Sequence, residues 1–157
     1  MIDAKRRILL KGSLAAGAVG AAVGAGLLAP RAVLAEWAEA AFQAESLDDA
    51  LNALLGTNSH EASESIMIKA PDIAENGAVV PITVESTAEG IQSIAIVASG
   101  NQMPLIASFE LGEGALGFIS TRIKMAKTAE VVAVVKAGDK VLSSAKEVKV
   151  TIGGCGG

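Results

Sequence analysis

Leucines near the start of the chain recur at helical spacing and predict a short helix. The pattern begins after Ser46, which can cap a helix and has an acid three residues further on, and it ends at Gly56. Helix-forming residues around Trp37 predict another short helix, so residues 36–56 are an N-terminal helical segment. The leucine stripe indicates packing on the domain's own core, with a partner-docking surface as the alternative. Its members are Leu47, Leu51, Leu54 and Leu55.

After a polar linker over residues 57–65, the pattern changes to strands. Seven runs rich in β-branched residues are separated by turn signals. They are Ser65–Lys69, Val79–Glu85, Gln92–Ala98, Leu105–Glu110, Gly117–Lys124, Glu130–Ala137 and Lys140–Ile152. Gly138-Asp139 predicts a tight hairpin between the last two runs. Pro81 places the second strand at a sheet edge or gives it an irregular start.

These runs predict an all-β fold, because no helical pattern lies between them. Seven short strands at such spacing are typical of an antiparallel β-sandwich of immunoglobulin-like type, here over residues 65–152. With no tyrosine, one tryptophan and three phenylalanines, the core is expected to be mainly aliphatic.

The first 35 residues have the organisation of an export signal. Arg6 and Arg7 are followed by an apolar stretch over residues 12–29, and small residues at Val33 and Ala35 suit a signal peptidase. The paired arginines indicate a twin-arginine signal peptide over residues 1–35, with cleavage after Ala35 and a periplasmic product. A retained anchor is the alternative, since the stretch is near the lower limit for a membrane span. Its glycines and alanines lower its affinity for lipid, so we expect no stable membrane anchor.

Cleavage after Ala35 would leave an acidic chain of 122 residues (157 − 35). It would have 8 basic residues (13 − 5) and 16 acidic residues (17 − 1), for a net charge of −8. Nucleic-acid binding needs basic patches that offset phosphate charge, so this balance argues against it. It does not favour an anionic membrane surface either.

The sequence has no constellation of catalytic or metal-ligating residues. The one histidine, His60, lies in the polar linker, and no Cys or second His accompanies it. We interpret it as a solvated loop histidine rather than as a metal ligand or a base. No glycine loop stands between a strand and a helix to bind a nucleotide. We therefore predict that the protein is not an enzyme and needs no cofactor or metal ion.

The C-terminal tail combines one thiol with four glycines. Cys155 is the only cysteine, so no internal disulfide is possible, and an odd cysteine in an exported protein implies a reactive thiol or intermolecular pairing. Gly153, Gly154, Gly156 and Gly157 surround it. Three residues of extended chain carry Cys155 about 10 Å beyond the sheet. Because glycine has no Cβ, residues 153–157 predict a slim, flexible arm that presents a thiol, whose S–S bonds form reversibly.

This tail resembles the C-terminal signature of the SoxY family, the carrier subunits of the bacterial thiosulfate-oxidising Sox system. The likeness includes residues 73–81, residues 104–109, the twin-arginine leader and the helix at Trp37. It implies that Cys155 is the covalent attachment site for sulfur intermediates. It also implies a heterodimer with a SoxZ-like subunit. A haem-containing enzyme would conjugate thiosulfate, a hydrolase would release sulfate, and in many systems a molybdenum-dependent sulfane dehydrogenase would oxidise the remaining sulfur.

The tail also fits two other interpretations. A structural exported sandwich could dimerise through a Cys155 disulfide. Alternatively, Gly156-Gly157 resembles the end of ubiquitin-like sulfur carriers, which are activated at the C-terminal carboxylate. That activation needs ATP, from which an exported protein is removed, and the helix of a β-grasp fold is missing.

Overall fold

The computed structural model describes residues 38–153. Two short helices begin this part of the chain. They are α1 (Glu39–Phe42) and α2 (Leu47–Leu55). The Ser46 hydroxyl accepts a hydrogen bond from the Asp49 N–H at 3.1 Å, and Gly56 adopts the left-handed conformation, with φ of 75°, that ends many helices. The predicted second helix is thus confirmed with both of its caps. Trp37 and the predicted export signal, with Arg6, Arg7 and Ala35, lie outside the described residues.

Nine strands follow within the described residues. They are β1 (Glu61–Ala62), β2 (Ile66–Lys69), β3 (Ile73–Ala74), β4 (Val80–Ser86), β5 (Ile91–Ala98), β6 (Leu105–Glu110), β7 (Phe118–Ile123), β8 (Ala129–Ala137) and β9 (Lys140–Val150). The seven predicted strands are all present, with bounds that differ by two residues at most. β1 and β3 correct the predicted count of seven, since each is a two-residue strand that pairs parallel to β9.

The strands form two sheets. The larger sheet has the order β1-β9-β8-β5-β6, with β3 also on β9, and the smaller has the order β2-β4-β7. All pairs among the seven longer strands are antiparallel. Ala137 pairs with Lys140 across the predicted tight hairpin, and Gly138 has the positive φ, 59°, that such a turn favours. This arrangement is the immunoglobulin-like sandwich that the sequence predicts.

Pro81 was expected to place its strand at a sheet edge or to give it an irregular start, and of these two alternatives the edge position is wrong. Strand β4 lies in the centre of the smaller sheet, between β2 and β7. Pairing with β2 begins only at Thr83, opposite Lys69, so Pro81 has no partner residue on β2. The strand therefore tolerates proline because one neighbour starts late, not because the strand is at an edge.

Apolar residues form two core clusters on opposite faces of the larger sheet. One cluster lies between the sheets and includes Ile82, Ile94 and Val131. The other lies between the larger sheet and the helices, where Leu51 is fully buried with Val97 and other residues of β5 and β8. The leucine stripe thus packs on the domain's own core. The largest fully buried side chains are Leu, Ile, Val and Met, as the scarcity of aromatic residues predicts. Neither described helix is long and apolar enough to cross a membrane.

Candidate functional site

The structure describes the base of the predicted arm. Cys155, with Gly154, Gly156 and Gly157, lies outside the described residues, and Gly153 is the last residue described. The described part of the site is therefore the end of β9 and the segments that contact it.

Strand β9 is tightly integrated into the larger sheet along its whole length. Its pairing with β8 runs from Lys140 to Val148, and β3 pairs with the next two residues on the other side. At the end of the strand the Val150 N–H donates to Thr128 Oγ1 at 2.9 Å. The strand that leads to the arm is thus held from both neighbours up to its final residue.

Hydrogen bonds continue past the end of β9. The Thr151 N–H donates to the Ala74 carbonyl at 3.1 Å, and the Thr151 hydroxyl donates to the Glu75 carbonyl at 2.9 Å. The Ile152 carbonyl accepts from the Gly77 N–H at 2.8 Å. The chain therefore runs along residues 74–77 as far as Ile152, which is where the sequence pattern placed the end of the strand.

A turn over residues 124–126 lies on the other side of the arm base. Asn101, which is 7% exposed, fixes this turn with both ends of its amide. Its Nδ2 donates to the Lys124 carbonyl at 2.9 Å, and its Oδ1 accepts from the Ala126 N–H at 2.8 Å. The Met125 N–H donates to the Gly77 carbonyl at 2.7 Å. The turn is thus tied both to the loop before β6 and to the segment that holds Ile152.

Gly153 passes very close to this turn. A Cβ atom on Gly153 would overlap the carbonyl oxygen of Ala126. Because the obstructing atom belongs to the backbone, no side-chain rotation can relieve the overlap. The sequence predicted conformational freedom as the reason for this glycine, and the structure adds a steric one. Nothing in the sequence links Gly153 to Ala126, since 27 residues (153 − 126) separate them.

Two lysines flank the residue that Gly153 approaches. Sequence order places no basic residue after Lys149, but the fold brings the exposed Lys124 and Lys127 to the turn beside the arm base. The arm base therefore lies beside a segment that carries two basic residues, in a chain that is acidic overall. The sequence did not predict this arrangement, because Gly153 and the segment with the two lysines are close in the fold but distant in the chain.

His60 is exposed, as predicted, but it is not solely solvated. Its Nδ1 lies 2.8 Å from Ser143 Oγ, and Ser143 is 6% exposed. The contact joins the residue before β1 to the first half of β9. Within residues 38–153, no cluster of three or more His, Cys, Asp or Glu side chains could hold a metal ion.

A family comparison covers most of the described domain. The family described as sulfur oxidation protein SoxY matches residues 51–155, which is 105 of the 157 residues and includes Cys155. No curated protein sequence matches the chain.

One solved structure agrees with the family match. The sulfur carrier protein SoxY from Chlorobium limicola f thiosulfatophilum is 45% identical, with a TM-score of 0.63, over 73% of this chain and 99% of that one. An engineered protein is 15% identical over 55% of this chain and 20% of its own, with a TM-score of 0.39. A chain from a structure of T cell activation by the bacterial superantigen toxic shock syndrome toxin-1 is 12% identical over 54% and 98%, with a TM-score of 0.37. The last two scores are too low to carry an argument.

Proposed function

Since the chain belongs to the SoxY family of sulfur oxidation proteins, we propose that it is an exported carrier that holds intermediates of thiosulfate oxidation covalently on Cys155. The role of the family is sulfur carriage, not catalysis. One observation carries the proposal for this chain. The sandwich holds the backbone by hydrogen bonds as far as Ile152, and the single thiol follows three residues later. A rigid domain therefore ends directly before a short glycine segment with one reactive group.

The chemistry assigned to Cys155 is reversible linkage. The thiolate and the terminal sulfur of thiosulfate form an S–S bond, and the two electrons released pass to a haem-containing partner enzyme. Hydrolysis by a second enzyme then adds water across the S–sulfonate bond, which releases sulfate and leaves a persulfide on Cys155. A sulfane dehydrogenase, where an organism has one, oxidises the remaining sulfur. The carrier supplies the thiol and its presentation, and the partners supply the catalysis.

A SoxZ-like subunit is the proposed stable partner. Among the described strands, β6 and β7 each have a neighbour on one side only, so each presents unpaired backbone groups at the edge of its sheet. Phe118 on β7 is 51% exposed and Met67, on the outer face of the same sheet, is 56% exposed. Covering such edges and apolar side chains favours association with a second domain.

Export to the periplasm by the twin-arginine route completes the proposal. It is supported by Arg6-Arg7, by the apolar stretch after them and by the small residues that end at Ala35. The carrier would then meet its substrate and partner enzymes outside the cytoplasm.

Mass spectrometry of the C-terminal peptide tests the proposal. Protein isolated from thiosulfate-fed cells under non-reducing conditions should carry extra sulfur on Cys155 that a reductant removes. Sulfur on the carboxylate of Gly157 would instead indicate a ubiquitin-like carrier, and a Cys155–Cys155 link alone would indicate the structural dimer. Either result would overturn the assignment of Cys155 as the attachment site.

A further inference from the structure

We propose that Gly153 and Asn101 are positioning residues that set the direction in which the arm leaves the domain. Asn101 accepts a hydrogen bond from the Ala126 N–H and so fixes the residue whose carbonyl Gly153 passes. Only a residue without a Cβ can pass that carbonyl along the observed path. The four glycines of the tail are then not equivalent, because Gly153 is needed for a close approach to the fold. This inference rests on the proposed carrier function of Cys155.

The first step is that the arm base is held on two sides. Residues 74–77 bind Thr151 through its N–H and its hydroxyl, and they bind the Ile152 carbonyl. The turn at Ala126 lies against Gly153 on the other side. A tail attached in this way starts from one fixed position and heading at Gly153.

The second step is that the obstructing carbonyl cannot easily move. Asn101 holds the residues on both sides of Met125, and the Met125 N–H is bonded to the Gly77 carbonyl. Met125 is itself fully buried. When a methyl group is added at Gly153, the backbone at the exposed Gly153 therefore shifts, since the turn is anchored by Asn101 and by the buried Met125. At Gly112, by contrast, an added Cβ has open space around it.

The third step concerns what a shifted arm does to the reaction. Only Gly154 separates Gly153 from Cys155, and one flexible residue cannot fully offset a displaced start. The thiol therefore moves relative to the domain surface that a partner enzyme docks on. Misplacement of a reacting group by about 1 Å can lower a rate by on the order of 100-fold. A small thiol reagent in solution has no docking surface and is indifferent to the direction of the arm. A change in the direction of the arm should therefore lower the rate of enzyme-catalysed loading and leave the rate of chemical alkylation unchanged.

The test uses purified full-length carrier variants added to a periplasmic extract from a strain that lacks this protein. Loading is the initial rate at which thiosulfate adduct appears on the Cys155 peptide, measured over a range of carrier concentrations to give kcat/KM. Alkylation of Cys155 by iodoacetamide is measured in parallel. Gly153→Ala should lower kcat/KM for loading by about 10- to 100-fold and change alkylation less than about twofold. Gly112→Ala is the matched control, and both of its rates should stay within about twofold of wild type.

A second variant loosens the arm base instead of obstructing it. Thr151→Val keeps the shape of the side chain but removes the hydrogen bond to the Glu75 carbonyl. It should also lower loading by several-fold, roughly 3- to 10-fold, with alkylation unchanged.

The possible outcomes separate the two hypotheses. Loading of Gly153→Ala within twofold of wild type overturns the positioning role and leaves the carrier function intact. A parallel fall in loading and alkylation overturns it as well, because the thiol itself would then be affected. If wild-type protein acquires no adduct on Cys155, the proposed carrier function fails and the positioning role fails with it.

Discussion

Replacing Asn101 by alanine should destabilise the domain considerably, because a nearly buried amide bridges two backbone groups. The side chain is 7% exposed and bonds the Lys124 carbonyl at 2.9 Å and the Ala126 N–H at 2.8 Å. Alanine leaves both groups without these partners. A backbone group deprived of its partner at such a site costs about 1–2 kcal/mol. We therefore expect the free energy of unfolding to fall by about 2–4 kcal/mol.

Equilibrium unfolding in urea, followed by far-UV circular dichroism, measures this change directly. The midpoint should fall while the m-value stays constant, since the surface exposed on unfolding is nearly the same. Thermal unfolding should show a decrease in Tm of about 8–16 °C, at about 4 °C per kcal/mol for a domain of this size. Ser99→Ala is the matched control, because Ser99 lies in the same loop as Asn101. Its hydroxyl makes one exposed hydrogen bond, of 3.2 Å, to the Glu130 carbonyl. Its effect should stay within about 0.5 kcal/mol.

The reasoning is refuted if Asn101→Ala is as stable as the Ser99→Ala control. Such a result would mean that the turn over residues 124–126 is not fixed by this amide. The positioning role of Asn101 would then lose its physical basis.

Three further predictions address export, packing and assembly. Changing Arg6 and Arg7 to lysine should leave the protein in the cytoplasm, and normal periplasmic recovery in cell fractionation would contradict the twin-arginine route. Leu51→Ala should cost about 2–5 kcal/mol in urea unfolding because Leu51 is fully buried, whereas Leu116→Ala, at a side chain that is 83% exposed, should be nearly neutral. The heterodimer should survive mild reductant in size-exclusion chromatography, and dissociation into monomers would show that a disulfide joins the subunits.

The parts of the fold that local chemistry specifies could be predicted from the sequence. The capping side chain of Ser46 and the glycines at 56 and 138 mark element ends through their own conformational preferences. Runs rich in β-branched residues predict the longer strands. Strands β1 and β3 could not be predicted, because two residues carry no periodicity and their partners on β9 are distant in the chain. Ile73, for example, pairs with Lys149, 76 residues later (149 − 73).

The candidate site, like the fold, could be predicted only in part from the sequence. The candidate thiol could be identified from the sequence, since Cys155 is the only cysteine and glycines surround it. The contacts at the base of the arm could not be predicted. The hydrogen bonds from the Gly77 N–H to the Ile152 carbonyl and from the Ala126 N–H to Asn101 Oδ1 form only when distant segments meet. Asn101 looks like an ordinary turn residue in the sequence. Its burial and its two partners distinguish it only in the folded domain.

The carrier role of Cys155 is tested most directly by thiosulfate consumption in a strain whose only copy of the protein is Cys155→Ser. The substitution lies beyond the last residue held by the sheet, so it should cost almost nothing in stability. We expect the variant to accumulate and be exported like wild type, to bind its partner subunit, and to support no thiosulfate oxidation. Thiosulfate oxidation at the wild-type rate in that strain, with no second carrier of this kind in the genome, would contradict the account.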